Sequence, residues 1–358
     1  MSRRTDFCLK ILTMKTLQQF ENELREVPAS AAWYIGDLGE ARGKQELFTR
    51  QSQQRLKVLR QHALIESAVS SNRIEGVTVD QDRVKAVILG RSALHDRDEE
   101  EIRGYRNALK WIHEKKPMIT EKTIKELHHL ARGKIGDAGQ YKTKDSDIIE
   151  RHTDGTYTVR FKTASAKETS KNMKELVSLW QDHLKNKAIH PLVILAGFNL
   201  DFLCVHPLRD GNGRVSRLLL LLQLYHLGYE VGRYISLERL IEENKERYYE
   251  TLKLSSQGWH EGKHDPWHYI NFLLFILKEA YKEFEKRAGQ IKEPKGAKTE
   301  LIEAAIRSLG NGFTVSDLEK SCPTVSRDMI RRVLHNLKKA KKVECLARGP
   351  GATWKQKG

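Results

Sequence analysis

The chain alternates between long apolar segments typical of buried helices and short polar segments rich in glycine and proline. Residues 191–204 are mostly apolar; Pro191 suits the first turn of a helix, and Pro207 forbids its continuation. Residues 215–227 are apolar nearly all round, and Gly228 stands where that helix is predicted to end. This second run is shorter than the roughly 20 apolar residues that cross a bilayer. The pattern therefore predicts an all-α core in which a short loop joins two buried helices.

The loop between these two helices concentrates groups that suit phosphate chemistry. Gly211 and Gly213 allow backbone N–H groups to point inward at the N-terminus of the second helix, which favours an anion. Asp210 is a hard oxygen ligand suited to Mg²⁺ that bridges phosphates. His206 is the residue of the loop whose pKa ordinarily lies near neutrality, so it is the candidate base for a hydroxyl nucleophile.

Two arginines, Arg214 and Arg217, follow the loop within the second helix. Residues three apart share a helix face, so both side chains are predicted to reach phosphate oxygens. The chain contains no Gly-x-x-x-x-Gly-Lys-Ser/Thr segment, which excludes a P-loop enzyme. The alternative is a solvated turn between two helices. The concentration of base, carboxylate, glycines and arginines between apolar helices favours a site.

Residues 206–217, HPLRDGNGRVSR, resemble the Fic family signature His-x-Phe-x-Asp/Glu-Gly-Asn-Gly-Arg-x-x-Arg, with Leu208 in place of Phe as an apolar anchor. The resemblance implies transfer of AMP from ATP to a Ser, Thr or Tyr hydroxyl of a target protein, with release of pyrophosphate. It assigns the base to His206 and Mg²⁺ to Asp210. It favours adenylyl over phosphoryl transfer, because related death-on-curing toxins that act as kinases carry Lys in place of Gly213. The implied nucleotide-binding residues are Gly211, Asn212, Gly213, Arg214, Arg217, Tyr248 and Tyr249.

A second motif, residues 71–76 (SNRIEG), ends a predicted helix that begins near Gln51. Glu75 lies on the same face as Ser71, in a last turn where the helix dipole disfavours a carboxylate by several tenths of a kcal/mol. Gly76 is the predicted C-cap. The segment resembles the inhibitory Ser/Thr-x-x-x-Glu-Gly/Asn motif of many Fic proteins, which implies that Glu75 pairs with Arg217 in place of the ATP γ-phosphate. In some relatives this glutamate also helps to remove AMP, an alternative that the sequence leaves open.

Residues 138–145 lead into a predicted β-hairpin with strands at 146–151 and 156–161, joined by an Asp-Gly turn at 152–155. The hairpin resembles the Fic flap that docks the target by strand addition. An ordinary surface hairpin is the alternative. The predicted docking residues are Ile148, Ile149, Thr158 and Val159.

Composition describes the surroundings of this core. The chain is 31% charged and 39% hydrophobic, as in soluble globular proteins, and it shows no signal peptide or spanning segment. Its four cysteines have neither metal-binding spacing nor a disulfide framework, so we expect a cytoplasmic protein away from membranes. The net charge of +16 calls for a basic region.

Much of that charge lies in residues 298–358, which hold 13 Lys/Arg against 6 Asp/Glu. Helices are predicted near 299–309, 316–321 and 325–340, followed by a hairpin over 343–354. This order resembles a winged helix-turn-helix that would place its third helix in the major groove of DNA. Protein–protein contact is the alternative. The predicted DNA contacts are Arg327, Arg331, Arg332, Lys338 and Arg348.

The sequence thus predicts an N-terminal helical region (1–95), a Fic catalytic core (96–288), a linker (289–297) and a winged-helix domain (298–358). The predicted function is an autoinhibited protein adenylyltransferase that uses ATP and Mg²⁺. Two alternatives are a DNA-binding regulator whose Fic core senses nucleotides, and a Fic enzyme with another nucleotide donor. The resemblance also implies a homodimer.

Overall fold

The computed structural model describes residues 15–357 with short gaps. The gaps are residues 23–25, 52, 91, 134–135, 152–154, 290–296, 311, 323–324, 348 and 350. Helix dominates the described residues, and the predicted all-α class is confirmed. The chain divides into two compact units, Met1–Lys286 and Arg287–Gly358. Most of the predicted linker lies outside the described residues, and the boundary at residue 95 stays a prediction.

The first unit is a helical assembly with one β-hairpin. It begins with α1 (Lys15–Asn22), α2 (Ala29–Gln51), α3 (Gln53–Ile74), α4 (Gln81–Leu89), α5 (Arg97–Lys115) and α6 (Glu121–Arg132). It continues with β1 (Ile148–Arg151), β2 (Tyr157–Phe161), α7 (Ala166–Asn186), α8 (Pro191–Val205), α9 (Asn212–His226), α10 (Leu237–Glu243), α11 (Lys245–Ser256) and α12 (Trp267–Gly289). Among the described residues, no helix combines the length and apolar character needed to cross a membrane.

Helices α8 and α9 form the centre of this unit, as the apolar runs predict. Pro191 occupies the first turn of α8, and nearly every residue of α8 is buried. The helix ends at Val205, and α9 begins after Gly211, whose positive φ of 82° suits glycine. Because both helices are buried, the loop between them is fixed at both ends.

Helix α3 packs against α5, α9 and α10 and brings its C-terminal end to the start of α9. It ends at Ile74, so Glu75 lies one residue beyond the helix and not in its last turn as predicted. Gly76 follows with a positive φ of 84°, which turns the chain away. In the hairpin, β1 and β2 pair antiparallel, with Ile149 opposite Val159. The predicted turn lies mostly outside the described residues.

The second unit combines three helices with a small antiparallel sheet in the strand order β3-β5-β4. Its elements are α13 (Ala297–Leu309), β3 (Phe313–Thr314), α14 (Val315–Ser321), α15 (Arg327–Lys339), β4 (Val343–Cys345) and β5 (Thr353–Gln356). Helix α15 begins at Arg327 and not at Val325, because the Ser326 side chain caps it. Met329 is only partly buried in this helix, and Ile330 lies in the core. The winged-helix interpretation stays a prediction.

Candidate active site

His206 occupies the turn after α8 and faces a cavity. Its backbone has a positive φ of 51°, and its N–H donates to the Phe202 oxygen at 3.0 Å. Nδ1 of the half-buried ring lies 3.4 Å from the Leu203 carbonyl oxygen, which can only accept and therefore favours a proton on Nδ1. The Nε2 lone pair is then free. Burial lowers the pKa of His206 to about 4, and the Lys142 ammonium adds to that shift. A neutral imidazole of this kind can accept a proton at pH 7.

The loop that follows His206 is held by hydrogen bonds between its own residues. Leu208 is fully buried, as expected of an apolar anchor. The Asn212 side chain accepts from Leu208 N at 2.9 Å and donates to Leu208 O at 2.8 Å. Both polar atoms of this side chain are therefore used inside the loop. What Asn212 can offer a phosphate is therefore its backbone N–H at the start of α9.

Arg217 meets the motif at the end of α3. Its Nη2 donates to Glu75 Oε1 and to the Ser71 carbonyl oxygen, each at 2.8 Å, and its Nε donates to Ser71 Oγ at 2.9 Å. Burial alone would lower the pKa of Arg217, but the Glu75 carboxylate raises it. A Cβ added at Gly213 would overlap the Glu75 carboxylate. Glu75 thus lies directly over the glycine loop and against the second arginine of the motif.

Arg214 is held by a different carboxylate. Its Nη1 donates to Glu101 Oε2 at 2.6 Å and to Asn72 Oδ1 at 3.3 Å, and both charged side chains are only 2% exposed. Residues three apart differ by about 60° around a helix, which directs Arg214 towards α5 and Arg217 towards α3. Arg214 Nε and Arg217 Nη1 are buried without a hydrogen-bond partner among the described residues. These two donors remain available for an anion.

Asp210 lies among cations. Its Oδ2 accepts from Arg132 at 2.6 Å and from Arg97 at 3.4 Å, and its Oδ1 accepts from Gly211 N at 2.6 Å. Burial opposes ionisation, but Arg214 and Arg132 hold the pKa of Asp210 below its usual value. The side chain is 48% exposed. One accessible carboxylate fits Mg²⁺ bound mainly by substrate phosphates and water. Within the described ranges, no group of three or more His, Cys, Asp or Glu side chains could hold a metal alone.

A cavity of about 360 Å³, within the size range of small-molecule sites, opens beside His206. The hairpin, α8 and α11 form its walls. Tyr248 is buried and Tyr249 half-buried, with ring centroids 5.2 Å apart. Arg160 of β2 donates to the Tyr249 carbonyl oxygen at 2.7 Å and so ties the hairpin to α11. The two tyrosines that the resemblance implies bind nucleotide therefore line the same cavity as the candidate base.

The predicted docking residues divide between this cavity and solvent. Ile148 and Ile149 line the cavity. Thr158 and Val159 are exposed on the opposite strand, where Val159 is 49% exposed. An apolar side chain left in solvent on a two-stranded hairpin is available for a partner strand.

Comparisons with known proteins agree with this geometry. Residues 118–224 match the Fic/DOC family. This matched segment contains the whole 206–217 motif and is therefore similar to a Fic/DOC domain. Over 211 residues the chain is 24% identical to the protein adenylyltransferase Fic of Drosophila mojavensis. This match covers 57% of this chain and 39% of that relative. Its fold resembles the crystal structure of a Fic family protein from Desulfovibrio desulfuricans, with a TM-score of 0.62 at 24% identity over 93% of this chain and 97% of that one. A Fic domain containing signaling protein from Bacteroides thetaiotaomicron gives a TM-score of 0.59 at 21% identity, covering 72% and 99%.

Three buried side chains that organise the core around this motif are not among the site residues that the sequence predicts: Glu101, Arg132 and Lys142. Each bonds to a residue of the 205–214 segment that lies at least 63 positions away along the chain. Glu101 belongs to a run of acidic residues at the start of α5, which ordinarily indicates a solvated helix N-terminus. No local signal marks these residues, because only tertiary packing brings their partners to them.

Proposed function

We propose that this protein is a protein adenylyltransferase that moves AMP from ATP to a Ser, Thr or Tyr hydroxyl of a target protein. One observation carries the proposal: the neutral His206 imidazole faces a cavity bordered by the glycine loop at the N-terminus of α9. That loop is a natural seat for a phosphate. The match to the Fic/DOC family and the adenylyltransferase relatives support the same reaction.

In this reaction the target's hydroxyl oxygen attacks the α-phosphorus of ATP. His206 Nε2 accepts the hydroxyl proton as the new O–P bond forms, and the bond to the bridging oxygen breaks to release pyrophosphate. The backbone N–H groups of residues 212 and 213 at the start of α9 bind the phosphates, because that of Gly211 already donates to Asp210, and the unpartnered donors of Arg214 and Arg217 offset their charge. Asp210 would hold Mg²⁺, which supplies further charge neutralisation when bound.

The same proposal gives the hairpin a role in substrate binding. Ile149 and Val159 are cross-strand neighbours and both are partly exposed. A target segment that adds to the hairpin as a further strand would gain backbone hydrogen bonds and place a hydroxyl side chain near His206.

We further propose that Glu75 inhibits the enzyme by occupying the place of the ATP γ-phosphate. The support is its contact with Arg217 and its position over Gly213. A terminal phosphate that needs the same guanidinium must displace the glutamate. Removal of AMP by the same residue, and use of another nucleotide donor, are alternatives that the same assay examines.

The test is transfer of label from α-labelled ATP to protein, followed by intact mass with each nucleoside triphosphate. His206→Ala should reduce labelling by about 100-fold or more, because a positioned base contributes at least that much. His268→Ala, on an exposed position of α12, is the matched control and should label normally. Labelling that survives His206→Ala would refute the mechanism. A chain that binds nucleotide and never transfers it would support the sensor alternative.

A second candidate function, DNA binding, concerns the second unit alone. One face of α15 packs inward through Ile330, Val333, Leu334 and Leu337. The other exposes Arg331, Arg332, Lys338 and Lys339. Arg327 is also exposed, although its Nη1 lies 3.2 Å from Glu319. Arg348 lies outside the described residues. A basic helix face on a small separate unit is the observation that favours duplex DNA.

Duplex binding measured across salt concentrations tests this second function. Three phosphate contacts should give a log–log salt slope of about −3, and Arg331→Ala with Arg332→Ala should reduce it by about 2. Lys110→Ala with Lys115→Ala removes equal charge from exposed positions of α5 and should leave the slope unchanged. Absence of duplex DNA binding at low salt would refute this second function.

A further inference from the structure

Lys142 is a buried cation beside the candidate base. Its side chain is 5% exposed, and it lies in the segment that leads into the hairpin. Burial lowers the pKa of Lys142 to about 8. A lysine is rarely buried without a partner of opposite charge, because desolvation of the ammonium is costly. Here the hydrogen-bond partners of Nζ are neutral oxygens, and Asp145 and Asp147 raise the pKa of the ammonium without offsetting its burial, so charge pairing alone does not explain the position.

Both ends of Lys142 bind the turn that carries His206. Its backbone N–H donates to the Pro207 carbonyl oxygen at 2.8 Å. Its Nζ donates to the Val205 carbonyl oxygen at 3.1 Å. One lysine therefore holds the carbonyls immediately before and immediately after the histidine. His206 itself has a φ of 51°, a conformation that non-glycine residues adopt at a cost of about 1 kcal/mol.

Lys142 also connects this turn to the base of the hairpin. Its Nζ donates to Thr163 Oγ1 at 2.8 Å, and Thr163 Oγ1 donates to the Ser146 carbonyl oxygen at 2.7 Å. Ser146 and Thr163 flank the two strands. The chain of hydrogen bonds thus runs from the start of β1 and the end of β2 to the backbone on either side of the base.

We propose that Lys142 is a positioning residue for His206, which clamps the backbone of the base at both sides and fixes it relative to the target-docking hairpin. The inference rests on the proposed transferase function for its meaning, but the clamp itself can be measured without turnover. The ammonium also discourages a second positive charge on the adjacent imidazole.

The charged groups that face His206 determine how loss of the Lys142 ammonium should change the imidazole pKa. Lys142 lowers the pKa of the imidazole, as burial does, whereas the Leu203 carbonyl, Glu75 and Asp210 raise it. Removing the Lys142 cation therefore leaves burial to lower the imidazole pKa, against the carbonyl and the two carboxylates that raise it. The imidazole pKa should rise towards its ordinary value, and protonated base should appear at a higher pH.

The test compares three variants of the full chain: Lys142→Met, Lys142→Arg and, as a control from an exposed position two residues along, Lys144→Met. The His206 imidazole pKa is measured by NMR of the labelled ring, a readout that needs no substrate. Lys142→Met should raise that pKa by about one unit or more, whereas Lys144→Met should not change it. An unchanged pKa in Lys142→Met overturns the proposal, whatever the transferase activity proves to be.

Steady-state kinetics distinguish a positioning role of Lys142 from a general loss of structure. Lys142→Met should lower kcat by about 10-fold or more, because misplacing a base affects the chemical step, with the KM for ATP within about threefold. Lys142→Arg, which keeps a cation and donors, should recover most of the loss. If Lys142→Met does not fold, Thr163→Val removes one Nζ partner but keeps the cation, so kcat should fall while the His206 pKa stays unchanged. An unchanged kcat in Thr163→Val would contradict the clamp.

Discussion

Two carboxylates meet the two arginines of the Fic motif in different surroundings. Glu101 pairs with Arg214 where both side chains are 2% exposed, and it also accepts from Arg97 at 2.9 Å and Arg132 at 3.2 Å. Glu75 pairs with Arg217 alone among the described residues, and its side chain is 31% exposed beside the cavity. The arginines are equally buried, so the difference lies in the acids.

That difference separates a structural ion pair from a displaceable one. A carboxylate shared by three guanidinium groups cannot leave without exposing uncompensated buried charge. A carboxylate with one partner, at the edge of a cavity, can be replaced by a phosphate that offers the same guanidinium more negative charge. Both arginines of the motif are therefore paired with an acid. The Glu101–Arg214 pair is expected to be permanent, whereas Glu75 is expected to be displaceable from Arg217.

Glu101→Gln should have the largest effect on stability of the substitutions in the two ion pairs. The amide keeps the shape but leaves the cluster of arginines short of one charge, so the free energy of unfolding should fall by about 3–5 kcal/mol. Denaturant-induced unfolding measures this change in the free energy of unfolding. Glu114→Gln, at an exposed position of the same helix with Lys110 3.7 Å away, should cost about 0.5 kcal/mol or less. Equal losses of unfolding free energy in the two variants would contradict a structural role for Glu101.

Glu75→Gly addresses the other acid. Loss of a partly buried ion pair worth about 1–4 kcal/mol should raise automodification with labelled ATP by about 5- to 1000-fold. Glu75→Gln should lower the unfolding free energy by less than Glu101→Gln does, because the Glu75 side chain is 31% exposed and has a single charged partner among the described residues. Arg73→Ala changes a neighbouring, more exposed side chain of α3 and should not activate. No increase in labelling after Glu75→Gly would refute the switch.

The parts of this arrangement that the sequence predicts are local. Proline and glycine mark the ends of α8 and α9, and the apolar runs identify them as core, so the loop at 206–211 follows directly. The contact of Glu75 with Arg217 was expected from the family motif. An acid placed against its own helix dipole supported it, although the helix stops one residue earlier.

The parts that it does not predict depend on packing between distant segments. Arg214 and Arg217 share a helix face by spacing, yet 60° of rotation suffices to send them to different neighbours. Asn212 looks like a phosphate ligand in the motif, but its side chain closes on Leu208. Glu101 and Lys142 acquire their roles only when α5 and the hairpin lead-in are folded against the motif, which one-dimensional periodicity cannot encode.

The pH dependence of activity should change least, and it is measured on Glu75→Gly so that the acid proposed to inhibit is absent. Because burial lowers the pKa of His206 to about 4, the imidazole remains neutral and able to accept a proton well below pH 6. Activity limited by this base should fall by less than about twofold between pH 7.5 and 5.5, whereas a histidine of ordinary pKa would lose about tenfold. A tenfold loss over that interval would mean that the imidazole is solvated, and that the cavity beside it is more open than the loop geometry implies.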